Sequence, residues 1–232
     1  LDYSFSPLGD QAIVIEVGQE ISEEAQNQVR TVSQLLESRP PHWLVEIIPA
    51  FTTVAVFYNS LSAGYETVEA ELKELLQQTE EVAASEARTV EIPVCYGGEF
   101  GPDLAFVAEH NGLAPEEVIR IHTSGTYSVH MIGFAPGFPF IGGMSEKIAA
   151  PRRDSPRLRI PERTVGIAGK QTGIYPIETP GGWQLIGRTP MRLFQPENTV
   201  PSLLRAGDKI VFKKITESEY HAWKEEDDAE NY

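Results

Sequence analysis

Between His122 and Pro190 the chain is punctuated so densely by glycine and proline that it cannot fold into long helices or broad uninterrupted strands. Residues 133–143 read GFAPGFPFIGG and residues 166–176 read GIAGKQTGIYP, on either side of an arginine-rich stretch, 152–163. Glycine opens positive φ angles and close backbone approach, while proline fixes φ and removes a donor. The β-like runs that survive are short: Thr126 to Ile132, Thr164 to Ala168, Gly182 to Ile186, Met191 to Phe194 and Lys209 to Phe212. Short strands joined by such turns predict a closed or nearly closed barrel. Two short helices precede it, Asp103 to His110 and Pro115 to His122, the second with proline at its first position.

The first ninety residues obey a different pattern. Ala12 to Val17 reads as a strand. Ser22 is a good helix N-cap, and Ala25, Val29, Val32 and Leu36 form one apolar stripe that stops before Pro40 and Pro41. Strands Trp43 to Ile48 and Thr53 to Tyr58 follow, then a helix carrying Val68, Leu72, Leu75 and Leu76 on one face. A last strand, Thr89 to Val94, completes a β-α-β-β-α-β order, which predicts a ferredoxin-like α+β domain. The predicted organisation is a small α/β domain over 1–90, a mainly-β barrel domain over 91–216 and an acidic tail over 217–232. In that tail Tyr220 and Trp223 dock a short helix, with disorder expected beyond Glu225.

Charge narrows the class of partner. Residues 1–90 carry 4 basic and 15 acidic groups, against 14 and 12 over 91–216, within a net charge of -15. Phosphate backbones and anionic membranes demand concentrated positive charge, so neither nucleic acid nor membrane is an expected partner. The loop from Arg152 to Arg163 is the exception, and its two acids with three prolines, counting Pro151 immediately before it, favour a structural connector. One cysteine, Cys95, excludes an internal disulfide and reads as buried filler in a reducing compartment. No apolar run approaches the ~18 residues of a membrane span and no leader pattern opens the chain, so a cytoplasmic setting is expected.

Several side chains invite chemistry. His122, Ser124 and His130 do not form the strand-to-helix elbow of a serine nucleophile. On a strand, Thr126, Ser128 and His130 share one face while Tyr127, Val129 and Met131 point to the core, leaving His130 either to line a groove or to sit on the surface. None of the five histidines forms an i, i+4 pair and no cysteine pair is present, so no metal is expected. Neither phosphate-loop fingerprint occurs, so this chain alone is expected to bind no nucleotide cofactor. Lys170, Gln171, Thr172, Tyr175 and Arg188 offer donors for a small carboxylate or amide, with Glu178 as acid or base. Phe134, Phe138 and Phe140 either fill the core or present an apolar face to another subunit.

The ordered set HTSGTY, GFAPGFPFIGG, PRxxSPR, VGIAGKQTGIYP and TPGGWQLIGRTP resembles the KipI family, also called allophanate hydrolase subunit 1. That resemblance implies a cyclophilin-like C-terminal barrel. It also implies two roles. One is the B subunit of a bacterial ATP-dependent 5-oxoprolinase, acting with an A subunit and with a C subunit that resembles allophanate hydrolase subunit 2. The other is an inhibitor of a sporulation sensor histidine kinase. For the enzyme role, the reading places Lys170 or Arg188 on the substrate carboxylate and Gln171 and Thr172 on the lactam amide. Tyr175 or His130, with Glu178, handles protons, and Phe134, Phe138 and Phe140 meet a partner. ATP is then used by the complex, not by this chain alone.

Overall fold

A computed structural model of the protein describes residues 3–20, 22–77 and 87–230. The chain divides into two compact units, Leu1–Ala87 and Arg88–Tyr232. In the first, strands β1 (Ser4–Pro7), β2 (Ala12–Glu16), β3 (Leu44–Pro49) and β4 (Thr53–Tyr58) form an antiparallel sheet in the order β1-β2-β4-β3. Helices α1 (Glu23–Ser38) and α2 (Tyr65–Gln77) join this sheet. The Ser22 side chain accepts from Ala25 N at 3.1 Å, capping α1 as its sequence predicts. The apolar stripes of both helices, Val29, Val32 and Leu36 with Val68 and Leu72, are buried in one cluster with Ile13, Ile15, Val54 and Val56.

The predicted last strand of this sheet is not there. Residues Thr89–Tyr96 form β5 of the second unit, and the sheet position beside β2 is taken by β1. The reason is local: β1 and β2 are joined by the turn containing Gly9 at φ 69°, and a short hairpin pairs with less loop-closure entropy than a strand far along the chain.

In the second unit, α3 (Leu104–His110) and α4 (Pro115–Ser124) precede β6 (Tyr127–Ile132), β7 (Pro139–Gly142), β8 (Arg157–Ile160), β9 (Thr164–Ala168), β10 (Gln171–Ile174), β11 (Thr179–Gly181), β12 (Gln184–Arg188) and β13 (Lys209–Ile215). Among the described residues, seven strands close a mixed barrel in the order β10-β7-β6-β13-β5-β12-β9, and β11 pairs with β8 in a separate ribbon. Only the β5–β13 pairing in the barrel is parallel, because nearly the whole unit serves as its crossover. The interior is filled by Ile92, Val94, Val129, Ile141, Ile167, Ile174, Ile186 and Phe212 with their neighbours.

Several elements differ from the sequence reading. Strands β7 and β10 lie inside the glycine-rich clusters, where glycine is a means of bringing other side chains down onto the sheet. Met191 to Phe194 makes no strand, only a bridge from Phe194 to Ser202, since Pro190, Pro196 and Pro201 remove the donors a ladder needs. The terminal helix α5 (Glu217–Glu230) runs past the expected limit at Glu225, and its Tyr220 packs on Phe100 with ring centroids 4.8 Å apart. Cys95 is buried on β5, as expected of filler.

The arginine-rich connector is held from inside. Asp103, buried at the start of α3, accepts both Arg157 guanidinium nitrogens at 2.8 Å, Arg153 at 3.4 Å and Leu185 N at 2.7 Å. These bonds occupy the carboxylate, which makes no cap on its own helix.

Candidate functional site on the outer face of the barrel

The alternation of β6 breaks at His130. Val129 pairs with Ile141 and Met131 with Phe140, so His130 is the extra residue of a bulge. Tyr127 and Val129 face the core as predicted, but beyond the bulge Ile132 takes the core side and Met131 lies against Phe140 on the outside. The bulge turns the His130 ring over β7: a Cβ placed on Gly142 would lie 1.9 Å from His130 Nε2. Burial holds the His130 imidazole below its ordinary pKa, helped by the Lys209 ammonium, so the ring is neutral near pH 7. Lys209 lies directly opposite Ser128 on β13 and donates from Nζ to Ser128 Oγ at 2.7 Å.

The same face continues into an aromatic wall. Gly173 of β10 faces outward, and a Cβ there would lie 2.8 Å from the Trp183 ring and 3.4 Å from Phe138. Phe138 is the hub, with ring centroids 5.5 Å from Phe134, 5.3 Å from Phe140, 5.7 Å from Tyr175 and 5.9 Å from Trp183, all in edge-to-face geometry. Phe138 is 3% exposed and Phe134 73%, so the question of core or surface resolves differently for each. Phe134 also holds φ at 69°, a backbone state that costs a residue with a side chain about 1 kcal/mol or more. Tyr175 is buried and pushed up to about 12, and its hydroxyl keeps its proton at neutral pH. Strand alternation places Gln171 on this outer side, since Thr172 and Ile174 are buried inside.

Of the residues singled out from sequence, His130, Gln171, Tyr175, Phe134, Phe138 and Phe140 therefore share one face. The other four do not. Lys170, exposed at the β9–β10 turn, pairs with Glu146 at 2.7 Å. Glu178 is exposed and pairs with Arg159 at 3.7 Å. Arg188 donates to Glu162 O at 3.0 Å from β12. Thr172 is fully buried in the barrel, because as a β10 residue one step from Gln171 it must point the opposite way. Ser128, Lys209, Gly142 and Trp183 were not singled out, and only the Ser128–His130 alternation on β6 hinted at them. The pairing of Lys209 with Ser128 joins positions 81 residues apart, which no local pattern reveals.

Thr172 belongs to a polar chain inside the barrel. Its hydroxyl donates to Gly166 O at 3.2 Å, so it accepts from His122 Nε2 at 2.9 Å; His122 Nδ1 then accepts from the Tyr96 hydroxyl at 2.7 Å. Each proton has one acceptor, which fixes a neutral imidazole. Burial lowers the His122 pKa to about 3. Between that value and the ordinary value of about 6.5 the unfolded chain binds a proton the folded chain refuses, so stability falls as pH drops through this window and is complete above it. The expected slope is up to about 1.4 kcal/mol per pH unit. Denaturant titrations of wild type and His122→Gln between pH 4 and 7 check this, the variant losing that part of the slope.

Comparison with known proteins now places this barrel. Residues 3–204 match the carboxyltransferase domain, subdomain C and D. The chain belongs to that family, the one that includes KipI and allophanate hydrolase subunit 1. It is 53% identical over 97% of its length to the 5-oxoprolinase B subunit of Bacillus subtilis (strain 168), covering 98% of that protein. It is 42% identical over 88% of its length to the 5-oxoprolinase B subunit of Escherichia coli O157:H7, covering 93% of it. Among solved structures it is similar to TTHA0988, with 34% identity and a TM-score of 0.77 over 88% of this chain and 40% of that one. The family's glycine-rich motifs are thus the outer-face strands β7 and β10 and the segment carrying Trp183.

Proposed function

We propose that this chain is the B subunit of an ATP-dependent 5-oxoprolinase, a non-autonomous component that works with the A and C subunits to open 5-oxo-L-proline to L-glutamate. The observation that carries the reading is its 53% identity with the Bacillus subtilis protein across nearly both full lengths. The alternative role, inhibition of a sensor histidine kinase, draws less support, because the Bacillus and Escherichia relatives both carry the 5-oxoprolinase name. The barrel is of the cyclophilin-like kind in this reading.

The chemistry explains why several chains are needed. An unstrained lactam resists water, so phosphoryl transfer from ATP to the amide oxygen, with ADP leaving, activates the carbonyl carbon. Water adds there, the C–N bond breaks with the nitrogen leaving as the amine, and the acyl phosphate that remains is hydrolysed to the carboxylate and phosphate. In this proposal the other subunits handle the nucleotide and this barrel supplies one wall of the shared site. The neutral His130 imidazole accepts or returns a proton, Gln171 meets the amide, and Tyr175, protonated and backed by Trp183, acts only as a donor. The aromatic face excludes water from the amide, and Phe134 reaches the partner. Similarity to 40% of TTHA0988, where this unit sits within a longer polypeptide, supports a working arrangement with further chain.

Phe134 separates function from folding. Phe134→Gly relieves the positive φ, so the melting temperature is expected to stay level or rise by a few degrees, a gain of about 1 kcal/mol. Complex formation is expected to weaken about tenfold or more from loss of an exposed aromatic anchor. Calorimetry of the chain, paired with sedimentation of the reconstituted complex, reads the two effects separately. A variant that assembles with unchanged affinity removes Phe134 from the partner surface.

A further inference from the structure

We propose that Lys209 and Ser128 form a two-donor clamp for a carboxylate beside His130, and that the carboxylate it takes is that of the lactam substrate. The inference rests on the 5-oxoprolinase reading for the identity of the ligand, but the clamp itself stands on geometry. Lys209 and Ser128 are directly paired residues of β13 and β6, and Ser128 pairs in turn with Gly142 of β7, the position roofed by the His130 ring. Three neighbouring strands therefore bring an ammonium, a hydroxyl and an imidazole to one outer patch.

Their bonding leaves donors over. Ser128 Oγ accepts from Lys209 Nζ at 2.7 Å, so its own proton is free to donate, and no acceptor for it occurs among the described residues. Lys209 keeps two further N–H donors and has no carboxylate partner among the described residues. In a chain with 34 acidic and 19 basic groups, a half-buried lysine without an acid beside it is conspicuous. The nearest acid in sequence, Asp208, is committed elsewhere: it pairs with Arg88 and accepts from Arg205 N at 3.0 Å. A carboxylate set against the clamp accepts one bond from Nζ and one from Oγ, both charge-assisted. The molecule carrying it then lies beside the His130 ring, which itself fills the space over Gly142. Neither Lys170 nor Arg188 has this setting, since the first is exposed and paired with Glu146 and the second donates to Glu162 O.

The test follows the His130 ring resonances of the full chain by NMR during titration with 5-oxo-L-proline, L-glutamate, acetate and 2-pyrrolidinone, the lactam without a carboxylate. Saturable shifts with 5-oxo-L-proline and none with 2-pyrrolidinone are expected, with binding weakened about 10- to 100-fold in Lys209→Met and partly restored in Lys209→Arg. Ser128→Ala gives a smaller loss. Shifts with acetate or L-glutamate but not with 5-oxo-L-proline uphold the clamp and overturn the 5-oxoprolinase reading of its ligand. If no carboxylate moves His130, or wild type and a folded Lys209→Met respond alike, the clamp is refuted. A reconstituted complex carrying Lys209→Met with an unchanged KM for 5-oxo-L-proline refutes the clamp while leaving the 5-oxoprolinase reading intact.

Discussion

Replacing Asp103 by alanine is expected to lower the stability of the barrel unit by about 3 kcal/mol, because it strands two guanidinium groups and the Leu185 amide around a buried carboxylate site. The value is set at the low end for a broken buried ion pair, since Arg157 and Arg153 side chains are 24% and 37% exposed and water recovers part of the loss. For a unit of this size the melting temperature falls by about 6–12 °C. Asp103→Asn keeps an acceptor for the Leu185 amide and costs less. Denaturant unfolding of both variants measures the difference. A loss below about 1 kcal/mol in Asp103→Ala contradicts the anchoring of the arginine loop. The consequence reaches the aromatic face, because Arg153 N also donates to Gly182 O at 2.7 Å, next to Trp183.

Trp183→Ala is expected to cost about 3–5 kcal/mol, the range for deleting a large buried aromatic, and to reduce turnover of the reconstituted complex at least tenfold at temperatures where the variant stays folded. The indole backs both Phe138 and Tyr175, with ring centroids at 5.9 and 6.2 Å. The Trp183 backbone N–H, which acts to lower the Tyr175 pKa, remains in the variant, so the expected loss comes from the packing of the indole. Without it the wall has no fixed geometry and the Tyr175 donor loses its position. Gly173→Ala probes the same contact from the opposite side, since the added methyl meets the indole at 2.8 Å. Circular dichroism melts and steady-state rates on the same preparations distinguish a collapsed wall from an unfolded chain.

How far the sequence foretells this architecture depends on the range over which each signal acts. Helix α1 is legible because its cap at Ser22 and its apolar period are both local. Strands β6, β9, β12 and β13 and the closed barrel are legible for the same reason, through glycine and proline, whereas β7 and β10 are hidden by the glycines within them. The sheet of the first unit is misread at its edge, because the competition between β1 and Thr89 to Val94 for the place beside β2 is decided by loop closure. Alternation on β6 correctly sends Ser128 and His130 outward and Tyr127 and Val129 inward. It fails at Met131, where the bulge adds a residue that no composition signal marks. Within the candidate site, Gln171 and Thr172 are adjacent donors in sequence, yet one faces out and the other is locked to His122 inside. Lys209 escapes notice because its meaning comes only from the strand it lies against.

In the proposed complex this barrel completes an active site that it cannot run alone. The direct measurement is ATP-dependent conversion of 5-oxo-L-proline to L-glutamate by the purified chain, by the A and C subunits together, and by all three. Turnover is expected only when all three are present. Turnover by this chain alone, or full turnover by the A and C subunits without it, contradicts a shared site.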